Sequence, residues 1–153
     1  MGNSVRIQDL VTGYISEKKQ FPDGDETALL TVAGVGTFSD RGSLDFGGSE
    51  YTEATIKWLQ PQKKADDDTY GWWHLSEGMY VVELNEHVVP AAGRSLMLQI
   101  WEAAQKAGIV HPSIFIHPQE EGSQNEPLRV TVSVGSTGVD IKENARLSKL
   151  VLR

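Results

Sequence analysis

The sequence predicts a mainly β fold, a sandwich or barrel with one helix. Short segments alternate apolar with polar residues, glycine-bearing turns separate them, and a single segment carries a helical period. No internal repeat, low-complexity tract or domain linker interrupts the 153 residues, so one domain over 1–153 is expected, large enough to bury a core.

Taken in order, residues 4–10 fit a short helix or a strand equally well. Residues 13–25 are polar and hold Pro22-Asp23-Gly24-Asp25, a strong turn signal. A buried strand follows over 28–35. Gly36, Gly42, Gly47 and Gly48 then punctuate a loop-rich region around Ser43-Leu44-Asp45-Phe46. The next strand, 54–59, puts Ile56 and Trp58 on one face. Residues 61–69 form a charged loop.

The organising stretch runs from Trp72 to Pro118 and reads as strand, turn, helix and returning strand, with the bend at Gly93-Arg94-Ser95. Trp72 and Trp73 are adjacent and point to opposite faces, one to the core and the other to a subunit interface. Tyr80, Val82 and Leu84 alternate with Glu83 and Asn85, as in a strand with one buried face. Leu96, Met97, Ile100, Trp101, Ala104 and Ala107 recur every three or four residues, which predicts a helix over 95–107. Gly108 sits where a helix end wants a left-handed residue. Residues 119–127 are a polar loop. Val130, Val132 and Val134 mark another strand, 135–138 a turn, and 146–152 the last strand.

Composition narrows the function. A net charge of -7 argues against nucleic acid as the main partner, because phosphate contacts need clustered Lys and Arg. A nucleotide needs only one or two local cations. The absence of cysteine removes disulfides, a thiol nucleophile and zinc–thiolate sites. The first residues have no hydrophobic signal core, and no apolar run approaches the ~20 residues of a membrane span. Arg6 stands where a myristoylation signal prefers Ser or Thr. A cytoplasmic protein that does not engage a membrane is expected. His111 and His117 share strand parity, but six positions separate them by roughly 20 Å in an extended chain, so no metal site is assigned. His74 and His87 have no ligand-spaced partner, and no Walker-type or zinc motif occurs.

Four segments, in order, resemble the dCTP deaminase and dUTPase superfamily, the deaminase branch more closely. They are Gly78 to Val82, Arg94-Ser95, Gly108-Ile109-Val110-His111-Pro112 and Ile116-His117-Pro118-Gln119. The resemblance covers about residues 40–152. It implies a distorted β-barrel of the dUTPase-like type, assembled as a homotrimer with sites between subunits, acting on deoxynucleotides that carry Mg when they are triphosphates.

What the resemblance implies residue by residue is mixed. Arg94 and Ser95 match the Arg-Ser pair that contacts the triphosphate, a role suited to a guanidinium beside a helix N-terminus. Their plain structural alternative is a surface Arg and an N-cap Ser. Ser43-Leu44-Asp45-Phe46 looks like the motif near the family's active site; otherwise Asp45 is a loop aspartate bonding local N–H groups. Val110-His111-Pro112 matches the deaminase branch letter for letter, or else marks a strand start. His117 stands where the family has the aspartate of Ile-Asp-Pro, the water activator of dUTPases, and a neutral histidine is a general base in principle. Gln119 replaces the glycine that follows. Ser133 stands where the deaminases carry their proton-shuttling glutamate, and a serine hydroxyl does not shuttle protons alone. Lys149 replaces a nucleotide-binding glutamine, and Asn144 a glycine.

The leading expectation is therefore a dCTP deaminase/dUTPase-like protein with a degenerate catalytic set that binds a deoxynucleotide without standard turnover. One alternative is an active deoxynucleoside triphosphate diphosphatase or deaminase with a rearranged site around Asp45, Arg94, Ser95, His111 and His117. The other is a trimeric interaction module with no nucleotide ligand.

Overall fold

One long strand carries both halves of the fold. In the computed structural model, which describes residues 5–89, 94–116 and 127–153, β2 spans Thr27–Asp40, well past the predicted 28–35. Its first half pairs with β12 (Arg146–Leu152), with Leu30 opposite Ser148 and Ala28 opposite Leu150. Its second half pairs with β5 (Gly78–Leu84), and the register shifts between Val32 and Gly34. That irregularity bends the strand, as bulges do, and lets one strand serve two differently oriented partners.

The other strands extend these pairings. β10 (Arg129–Val134) lies on β5, and β8 (Ile109–Val110) on β10. On the other flank β7 (Leu96–Ile100) lies on β12, and β9 (Ile114–Ile116) on β7. β3 (Thr55–Trp58) pairs with the end of β2. The result is an eight-stranded sheet in the order β8-β10-β5-β2-β12-β7-β9, with β3 beside β2, curled into a half-barrel. Two small ribbons complete the architecture. They pair β1 (Val11–Thr12) with β6 (His87–Val88), and β4 (Trp72–Leu75) with β11 (Val139–Lys142).

Several expectations match in detail. Val130, Val132 and Val134 are buried while Arg129, Thr131 and Ser133 face out. Trp73 is buried in the core, and Trp72 lies half-buried on the other face under Lys64, 4.2 Å from its ring centroid. Gly108 adopts φ 111 and closes the helix, as its position predicts.

The helix predicted over 95–107 is a correction. Leu96–Ile100 is β7, and the helix, α2, spans only Glu102–Ala107. Leu96, Leu98 and Ile100 also fit a period of two. Leu96 and Leu98 are buried against both neighbours, so β12 and β9 decide the conformation that the local pattern leaves ambiguous. A second short helix, α1 (Glu17–Gln20), occupies the polar stretch read as turn; the Ser16 hydroxyl caps it by accepting from the Lys19 N–H at 3.2 Å.

Candidate functional site

His111 follows β8 and turns its ring inward beneath β12. Nδ1 lies 2.9 Å from the carbonyl oxygen of Pro112. A carbonyl only accepts, so Nδ1 carries the proton, and in the neutral ring Nε2 accepts from the Ser148 hydroxyl at 2.8 Å. Ser148 is fully buried and His111 nearly so. Burial pushes the imidazole pKa down, partly opposed by the bond to Pro112. The ring is thus held neutral with its basic nitrogen occupied, an arrangement that fixes a core histidine rather than presenting a base to a substrate.

Arg94 and Ser95 enter β7 rather than a helix. The Ser95 carbonyl accepts from the Arg153 N–H at 3.0 Å, pinning the start of β7 to the end of β12. The Arg94 Nε is buried with no hydrogen-bond partner among the described residues. The helix start lies elsewhere: Trp101 is the N-cap residue of α2, and Glu102 sits in the first turn. Lys149 Nζ donates to the Glu102 carboxylate at 2.9 Å, and this bond holds the Glu102 pKa down. The dipole that would attract a phosphate is therefore already complemented by the chain's own carboxylate.

Asp45 lies in the excursion between β2 and β3, where its Oδ2 accepts from the Gly48 N–H at 3.0 Å and closes a turn. The Ser43 hydroxyl donates to the Glu50 carbonyl at 2.6 Å. Asp45 and His111 share no hydrogen bond among the described residues: Asp45 bonds Gly48, and His111 bonds Pro112 and Ser148. Ser133 is exposed between Met79 of β5 and Val110 of β8. His117 lies outside the described residues.

The strongest polar constellation is one that the sequence reading did not single out. Glu86 is fully buried. It accepts from the Thr31 N–H at 2.8 Å, the Thr31 hydroxyl at 2.6 Å and Gln20 Nε2 at 2.8 Å. Burial raises its pKa, with these bonds opposing. Gln20 in turn accepts from the Ile15 and Ser16 N–H groups and donates to the Leu29 carbonyl. The signal was present in the strand parity, because Glu86 continues the buried set Tyr80, Val82, Leu84. Asn85 donates to the Thr31 hydroxyl and to Asn144 Oδ1, both at 2.9 Å. On the far side of the fold His74 and Asp140 face each other across β4 and β11, 2.7 Å apart and exposed.

The arrangement of strands matches the 2'-deoxycytidine 5'-triphosphate deaminase from Agrobacterium tumefaciens over 96% of this chain, with a TM-score of 0.58 and 14% identity. The chain has a dUTPase-like fold. It spans 44% of the length of that deaminase chain. Two structures of the Staphylococcus bacteriophage 80alpha dUTPase with dUpNHpp also match over 62% of this chain, at 11% identity. These matches cover 82% and 75% of the dUTPase chains, with TM-scores of 0.44. No family model and no curated protein matches the sequence. Among the described residues no helix is long and apolar enough to cross a membrane, and no group of three or more His, Asp or Glu that could hold a metal occurs.

Proposed function

We propose that the chain is a dUTPase-fold pseudoenzyme, assembled as a homotrimer, that binds a deoxynucleotide without the deaminase or diphosphatase chemistry of the superfamily. The observation that carries this reading is Ser133, an exposed hydroxyl on β10, which the order of motifs matches to the glutamate of the deaminases. Two further features support it. His111 is neutral, buried and already bonded. Lys149, matched to a nucleotide-binding glutamine of the superfamily, is engaged by Glu102. Arg94 remains the residue for the phosphate end of the nucleotide, its Nε lacking a partner among the described residues. Any Mg would arrive on the phosphate oxygens of a triphosphate, since that ion keeps several waters and takes few protein ligands.

The test is a panel of dUTP, dCTP and dTTP with Mg, following pyrophosphate and ammonia release alongside thermal shift. A raised midpoint without product is expected. Product release from any of the three would refute the pseudoenzyme reading.

A second reading, an oligomeric interaction module without a nucleotide, is favoured by the excursion between β2 and β3, where Leu44 and Phe46 are exposed by 88% and 110%. Large apolar side chains so exposed mark contact surfaces. Absence of both product and thermal shift, with a trimer in solution, would favour this reading.

A further inference from the structure

A cavity of about 450 Å³ lies between α1, the turn before β12 and the start of α2, at the opposite end of β7 from Arg94. Its size falls within the roughly 300–1,000 Å³ of small-molecule sites. Trp101 forms one wall, and Gln20 and Thr31, both almost wholly buried, lie in the lining. The bonds of these two residues to Glu86 and neighbouring backbone hold them in place, so this part of the cavity is rigid before any ligand arrives.

The charge of the lining is one-sided. Lys19 and Arg146 are its charged residues, in a chain whose net charge is -7. Neither makes an ion pair with a carboxylate among the described residues. Arg146 lies over the Trp101 ring, its guanidinium carbon 4.7 Å from the centroid, and donates one bond, to the Lys19 carbonyl at 3.3 Å. Asn144 is the one non-glycine with positive φ among the described residues, at 67°. Its Oδ1 is engaged by Asn85, and its own amide nitrogen has no side-chain bond among the described residues. Residues that carry a guanidinium, an ammonium and an amide N–H₂ thus line one cavity from two segments of chain, and these three groups only donate.

We infer that this cavity is a binding site for a small aromatic phosphate, with the flat ring against Trp101 and the phosphate oxygens shared among Lys19, Arg146 and Asn144. Three donors suit a head with three oxygens better than a carboxylate with two. The Arg146 guanidinium covers the indole face in the unliganded chain; on binding it turns to the phosphate and the ligand ring takes its place against Trp101. The inference does not rest on the nucleotide reading, which concerns Arg94.

The test uses the full chain and three probes: phenyl phosphate, inorganic phosphate and benzyl alcohol, followed by calorimetry and indole fluorescence. Phenyl phosphate should bind tighter than inorganic phosphate, and benzyl alcohol should not register. Arg146→Gln should weaken phenyl phosphate at least about tenfold, the loss of one charged hydrogen bond. Trp101→Phe should abolish the fluorescence response. Lys19→Gln, on the surface, should weaken binding with the thermal midpoint kept, so a folding defect in the Arg146 variant does not decide the matter. Arg94→Ala should leave phenyl phosphate affinity unchanged. The inference is overturned if phenyl phosphate gives no signal, if Arg146→Gln and Lys19→Gln both bind at full affinity, or if Arg94→Ala accounts for the loss instead.

Discussion

His111 Nε2 accepts a hydrogen bond from the Ser148 hydroxyl over 2.8 Å, beneath the central strands of the sheet. The bond ties β8 and its following loop to β12, two segments on opposite flanks of the half-barrel. Ser148→Ala leaves a buried nitrogen without its donor and should cost about 1–3 kcal/mol, read as a fall in the chemical-denaturation free energy. An unchanged value would mean that water replaces the hydroxyl.

The same residue sets an acid limit. Burial lowers the His111 pKa in the folded chain, so the unfolded chain takes up the proton more readily. The neutral ring's contribution to stability is present above the unfolded pKa of about 6.5 and is lost as pH falls below it. Stability measured from pH 8 to 5 should decline, and His111→Gln, which does not titrate, should flatten that part of the slope.

Glu86 acts in the opposite sense. Its pKa is raised, so the folded chain holds the proton to a higher pH than the unfolded chain. The stability this supplies is present below the ordinary glutamate pKa of about 4.3 and is lost as pH rises through the raised value. Glu86→Ala strands donors from Thr31 and Gln20, and should cost about 3 kcal/mol or more. Glu86→Gln should cost less and remove the pH term, as thermal midpoints across pH 4 to 8 would reveal.

The turn between β10 and β11 depends on Gly138. Its φ is 77°, and a Cβ there would lie 2.6 Å from the Leu75 carbonyl oxygen. Gly138→Ala should destabilise by roughly 1 kcal/mol or more through strain and the clash. Because the β4–β11 ribbon sits beside this turn, its amides should lose hydrogen-exchange protection first. Equal loss across the whole sheet would contradict a local role.

Arg94→Ala tests the phosphate end of the nucleotide reading. If Arg94 holds a triphosphate, deoxynucleotide affinity should drop by about 1.5–3 kcal/mol, the range for a charged hydrogen bond. Unchanged affinity would remove Arg94 from that site.

What the sequence determined by itself was local periodicity and punctuation. Val130, Val132 and Val134 alternate with polar residues, and such a pattern buries one face whatever the neighbours are. Gly108 at the end of an apolar run needs no tertiary contact to close a helix. The order of motifs led to the dUTPase-like fold because the sheet keeps that order. Tertiary structure decided what local pattern leaves degenerate. Residues 96–100 satisfy both a helical and a strand period, and hydrogen bonding to β12 and β9 selected the strand. That choice moved the helix start from Ser95 to Trp101 and Glu102, and with it the dipole the Arg-Ser pair was expected to use. Glu86 shows the same division. Its parity is visible in the chain, but a carboxylate is tolerated in the core because donors from Gln20 and Thr31, 66 and 55 residues away, converge on it. Periodicity is a property of neighbours in sequence, whereas satisfying a buried charge is a property of neighbours in space.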